Sequence, residues 1–176
     1  MLTKILATLS EVTAAKALPV VGVALATDAV QGALPADLHG IVIEITEQEL
    51  PPDDDALQRI LDDLRTRGAK IALDDAGAGY AGLQHVVRIR PDIIKLDRSL
   101  VRGVDSDGER LALIESFAAF SARTGALLCA EGIETDEELA VLVDARVDLG
   151  QGYRLGRPGP PWASTAPQAG RVARPA

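Results

Sequence analysis

The chain has few of the side chains that proteins use for cross-linking, transition-metal binding and stacking: one cysteine, two histidines and 3% aromatic residues among 176. With Cys129 alone, no intrachain disulfide can form, which excludes a disulfide-stapled secreted scaffold. His39 and His85 have no ligand-like spacing, so a histidine-based zinc site is not expected. The scarcity of aromatics leaves the core to Val, Ile, Leu and Ala, a composition that suits parallel strands covered by helices. Long apolar runs are missing too. The longest candidate for a span, "ALPVVGVALAT", has 11 residues, too few to cross a bilayer. The opening "MLTKILATLSEV" meets Glu11 without a convincing apolar stretch and cleavage site. No membrane span and a cytoplasmic location are the simplest expectation. Positive charge is also short: the net charge is -8 and no basic face is apparent, which argues against a nucleic-acid polymer as partner. All 26 acids precede Arg157, and beyond Arg154 only Arg157, Arg171 and Arg174 are charged, so the folded part is more acidic than the total.

What remains is an alternation of short aliphatic runs and amphipathic segments. "LPVVGVAL" (18–25), "IVIEI" (41–45), "KIALD" (70–74), "DIIKL" (92–96) and "ALLCAE" (126–131) read as buried strands. A weaker sixth lies around Val147 to Tyr153. In "DDDALQRILDDLRTRG", Leu57, Ile60, Leu61 and Leu64 share one helical face, with acids in the first turn, Arg65 and Arg67 in the last, and Gly68 as a stop. A second helix is predicted from about Glu109 to Thr124, with Leu111, Ile114, Phe117 and Ala118 inward. A third starts at Thr135, whose spacing to Glu138 fits a capping box, and runs to about Arg146. Residues from about Leu2 to Ala17 also read as helical. Strand and helix repeated this way predict an α/β fold with a parallel sheet. One domain over residues 1–156 is expected, followed by a Pro-, Ala- and Arg-rich tail, 157–176, that does not fold.

Chemistry is concentrated at the ends of the strands. Glu44 with Glu47, Asp74 with Asp75, Lys95 with Asp97, and Glu131 with Glu134 lie at or just past the C-terminal ends of successive strand candidates. In a parallel sheet or barrel those ends face one way, so the acids converge on one rim. Several carboxylates with one lysine suit a hard divalent cation such as Mg2+ or Mn2+. Two such ions can activate water for phosphoryl displacement. Simpler roles exist for each group: Asp74 and Asp75 as caps, Lys95 as a snorkelling rim lysine, the glycines as turn formers, and Cys129 as a small core residue. Recurrence on four strands is what caps and turns do not require.

The segments "IVIEITE", "IALDDAGAGYAGL", "PDIIKLDRSLV", "CAEGIETDEEL" and "GQGYRLGRP" together resemble the EAL family of cyclic di-GMP phosphodiesterases, over about residues 18–158. The resemblance implies a TIM-like (β/α) barrel, incomplete here for want of the first strands, and a pair of Mg2+ or Mn2+ ions. By motif position it implies metal ligands at Glu44, Asp74, Asp75 and Glu131. It also implies a water-side lysine at Lys95, a supporting polar group at Gln151, and a residue steadying the loop after the aspartate pair at Glu134. Two departures go with it. The strand bearing the family's Glu-Ala-Leu motif has no counterpart before Ala24, and Ala24 stands where the family has a ligating asparagine. Ala76 and Ala78 replace the usual phenylalanine and threonine of the following loop. The reading put first is therefore a cyclic di-GMP signalling domain with impaired or absent hydrolysis that binds the nucleotide or a protein. The alternative is an active metal-dependent phosphodiesterase releasing the linear dinucleotide. With six strand candidates where the family uses eight, the open sheet edges are expected to be covered by the N-terminal helix, a partner chain or a second copy.

Overall fold

The computed structural model describes residues 16–20, 25, 27–46, 54–77 and 82–156. The expected helix over residues 2–17 lies mostly outside them, as do Ala24, Glu47, Ala78 and the tail 157–176. Where that helix and the described residues overlap, at Lys16 and Ala17, the backbone is extended.

Among the described residues the elements alternate as the sequence predicts. They are β1 (Lys16–Val20), α1 (Asp28–Ala33), β2 (Ile41–Thr46), α2 (Asp54–Thr66), β3 (Lys70–Ala76), α3 (Gly82–Ile89), β4 (Ile93–Leu96), α4 (Arg98–Val101), a 3-10 turn (Val104–Ser106), α5 (Gly108–Thr124), β5 (Leu127–Ala130), α6 (Asp136–Asp144) and β6 (Leu149–Gly150). All six strands form one sheet in the order β1-β2-β3-β4-β5-β6, and every pairing is parallel. Parallel neighbours need a crossover, and the intervening helices supply it. The first strand begins earlier than the run 18–25 suggests, residues 21–24 of that run lie outside the described residues, and Leu25 is helical and fully buried.

Local chemistry sets the boundaries. In α2 the stripe holds: Leu57, Leu61 and Leu64 are fully buried, Ile60 packs at the margin of the core, and each buried leucine contributes roughly 1.5–3 kcal/mol. Past its end, Gly68 adopts φ +95° with the His39 ring lying where a Cβ would stand, a position that glycine alone fills without strain. Asp107 caps α5 by accepting from the N–H groups of Glu109 and Arg110, and Gly125 closes it in the left-handed region. Thr135 and Glu138 form the capping box that their spacing predicts. Helix α1, capped by Thr27 accepting from Val30 N, and helix α3 were not among the predicted elements.

Side chains alternate across the sheet. One face, Ile43, Ile45, Ile71, Leu73, Ile94, Leu96 and Leu128, packs in the main core with the helices. On the other, Val42, Ala72, Ile93, Cys129 and Leu149 form a separate buried cluster. Two residues further along each strand, on that same face, stand Glu44, Asp74, Lys95, Glu131 and Gln151. A dry apolar layer thus floors a layer of charged and polar groups.

Candidate functional site

Lys95 is the centre of that polar layer. Its side chain is only 4% exposed, and Nζ lies 3.1 Å from Glu44 Oε1, 2.8 Å from Asp74 Oδ1 and 2.7 Å from Glu131 Oε1. Four strands contribute one group each, and none of the three contacts is local in sequence. Burial alone would push the Lys95 ammonium toward deprotonation, but the Glu131 and Asp74 carboxylates outweigh it and hold its pKa above the ordinary lysine value. Burial raises the Glu131 carboxyl above its usual range, with Lys95 pulling the other way.

Asp75 enters the site by a different route. Neighbours on a regular strand point to opposite faces, so a pair of aspartates should be split between core and rim. Here the ladder between β3 and β4 slips between Leu73 and Ala76, and Asp75 takes φ +57°. A bulge of this kind re-aims a side chain, and aspartate is one of the few residues that tolerates the left-handed region. As a result, oxygens of Asp74, Asp75 and Glu131 lie within 4.8 Å of one another. Burial, then repulsion from Asp74 and Asp97, raises the Asp75 pKa.

Gln151, just past β6, donates from Nε2 to Glu131 Oε1. Its Oε1 is left buried without a hydrogen-bond partner among the described residues. The donor set fits a hard divalent cation: carboxylate oxygens on three strands, a spare buried amide oxygen, and four carboxylates against one ammonium. Asp74, Asp75 and Glu131, with Glu44 beside them, would hold it. Cys129, two residues before Glu131, is fully buried, and burial foremost pushes its thiol up to about 12. That matches the inert core role and not a nucleophile.

The other sequence candidates have separate places. Asp97 caps α4, accepting from Ser99 N at 2.8 Å. Glu134 pairs with Arg98 Nη2 at 2.7 Å, and the loop residues 78–81 that it was expected to steady lie outside the described residues. Two participants escaped the sequence reading. Arg98 lays its stem where a Cβ on Gly132 would stand, next to Glu131. Glu138, read only as a cap, is buried with three backbone donors. Only the capping-box spacing hinted at either.

No helix among the described residues is long and apolar enough to cross a membrane. The chain is 35% identical over 118 residues to the probable cyclic di-GMP phosphodiesterase PdeG of Escherichia coli, covering 67% of this chain and 23% of that protein. It thus spans about a quarter of the length of that relative. Among solved structures, the manganese/cyclic di-GMP complex of Klebsiella pneumoniae BlrP1 superposes with a TM-score of 0.69 at 33% identity, over 78% of this chain and 37% of that one. The EAL domain of Mycobacterium smegmatis DcpA gives 0.72 at 30% identity, over 81% and 67%. The six parallel strands are accordingly part of a TIM-like barrel. The EAL domain model matches residues 24–158, and with the rim geometry described above, the chain belongs to the EAL domain family.

Proposed function

We propose that this chain is a cyclic di-GMP-binding EAL module that takes a divalent cation, Mg2+ or Mn2+, at Asp74, Asp75, Glu131 and Glu44, and whose hydrolysis of the nucleotide is impaired or absent. The observation that carries the reading is the convergence of Glu44, Asp74 and Glu131, from three strands, on Lys95 of a fourth, with Gln151 bonded to Glu131. The relatives whose names include cyclic di-GMP supply the ligand class. Ala24 supports the loss of hydrolysis, since a methyl group offers no oxygen where the family has an asparagine, and water filling that place does not fix geometry. In-line attack is sensitive to small displacements: a shift of about 1 Å costs about a hundredfold in rate. In this reading Lys95 orients water, Gln151 steadies Glu131, and Glu134 braces the neighbouring loop. The site-bearing domain reaches residue 156 and the tail lies outside it. A partner chain or a second copy covers the sheet edge at β1 or β6, neither of which has a second neighbour among the described residues.

A second reading, an active phosphodiesterase, is favoured by the survival of the remaining polar set. Calorimetric titration of cyclic di-GMP with and without Mn2+, followed by product analysis of the same sample, separates the two. Metal-assisted binding with little linear dinucleotide supports the first reading. Robust turnover that disappears in Glu44→Ala or Asp74→Ala establishes the second. Absence of binding under either condition sinks both.

A further inference from the structure

Glu138 is a buried acid that the cation site does not use. Its side chain belongs to a residue only 4% exposed, yet it approaches no cation among the ion pairs of the described residues. Instead its two oxygens face two different segments. Oε2 accepts from Glu134 N at 2.8 Å and Thr135 N at 3.2 Å, the capping-box contacts of α6. Oε1 accepts from Gly103 N at 2.9 Å, in the turn between α4 and the 3-10 segment. Capping needs one oxygen, and the second is therefore available for a non-local tie. The backbone bonds hold the Glu138 carboxyl below its usual range although burial opposes them.

The two segments so tied both border the polar rim. Helix α4 starts one residue after Asp97, three after Lys95, and its Arg98 reaches across to Glu134 and over Gly132. The other segment, Glu131 to Thr135, carries Glu131 itself and is fastened on its far side to the residues just past β6: Ile133 N donates to Gln151 O at 3.1 Å, and Arg154 N to Ile133 O at 3.0 Å. We infer that Glu138 is a positioning residue, holding the α4 turn and the Glu131–Thr135 loop in one register and thereby setting where Glu131 and Gln151 stand. The inference rests on the reading of Glu131 as a cation ligand.

Glu138→Gln discriminates this from a purely capping role. A glutamine can turn its oxygen to Glu134 and Thr135 and keep the cap, but its NH2 then opposes the Gly103 N–H and the tie is lost. Thr135→Ala is the control, because it removes the cap hydroxyl without touching Gly103. For the full-length chain and both variants, the measurements are the NMR resonance of the Gln151 side-chain amide, exchange protection at Gly103 and Ile133, and Mn2+ affinity. Glu138→Gln should shift the Gln151 amide, lower protection at both sites and weaken Mn2+ by roughly tenfold, in the manner of an outer-shell partner. Thr135→Ala should leave all three near the parent values. A Glu138→Gln protein that loses protection only at Gly103, or a Thr135→Ala protein with the same changes, overturns the inference. If the parent chain binds no Mn2+, the cation reading fails while the Gln151 resonance still decides the positioning role. Should Glu138→Gln not fold, Glu138→Asp, too short to span both segments, reads the same resonances.

Discussion

Asp75 combines a left-handed backbone with a carboxylate disfavoured by burial and by the nearby Asp74 and Asp97. Its pKa is raised in the folded state, so folding favours its protonated form. The resulting penalty is absent below the unfolded pKa and grows as pH rises through the folded one. Asparagine keeps the left-handed conformation and removes the charge. Asp75→Asn should therefore match the parent in urea unfolding at about pH 3 and exceed it by less than ~1 kcal/mol near neutral pH in chelator, the site being partly solvated. With Mn2+ added the order should reverse, because the cation rewards the carboxylate. A neutral-pH destabilisation in chelator would show that Asp75 is held by attractions and not by repulsion. The doublet itself was plain in the sequence, whereas its resolution was not. The bulge that brings both aspartates to the rim depends on pairing with β4, and no local pattern encodes it.

At the scale of elements, the loop after β5 and the segment after β6 meet at Gly152, where an added Cβ would stand 2.2 Å from the Ile133 carbonyl oxygen. Backbone cannot move aside as a flexible side chain can. Gly152→Ala should cost about 2 kcal/mol or more and release the Gln151–Glu131 hydrogen bond, read as a lower urea midpoint together with a shifted Gln151 side-chain amide. An unchanged midpoint would mean that the two segments are not packed as described. Legibility follows the same division between local and distant causes. Helix α5, with Leu111, Ile114, Phe117 and Ala118 on one face, and helix α6, with Thr135 and Glu138, were readable because their signals lie within a few residues. The strands from β2 to β5 and their acids were readable from short aliphatic runs. Helix α3 was hidden by the glycines before it, and the Arg98–Glu134 pair spans 36 positions, a distance over which sequence pattern carries no register.

For the whole molecule, the proposed ligands should act through mass action on the folded state. A cation or nucleotide that needs Glu44, Asp74 and Glu131 together cannot bind an unfolded chain in the same way, so each adds stability as its concentration rises. At a hundred times its Kd the gain is about 2.7 kcal/mol. Thermal unfolding with Mn2+ and cyclic di-GMP should rise stepwise with each addition and return to the apo value in chelator. A melting temperature indifferent to both would remove the binding-module reading for the entire chain.

The sheet order carries a consequence in time. Among the described residues every strand after β1 neighbours the one made before it, so during synthesis none of these strands waits for a distant partner, and the sheet can grow at one edge as the chain emerges. The rim is charged in the same sequence. Glu44 comes first, the aspartate pair adds repulsion, Lys95 then arrives to offset part of it, and only afterwards does Glu131 take its place beside an ammonium already seated. Gln151 is the last polar member. The proposed cation site is thus complete only once Gln151 has been made.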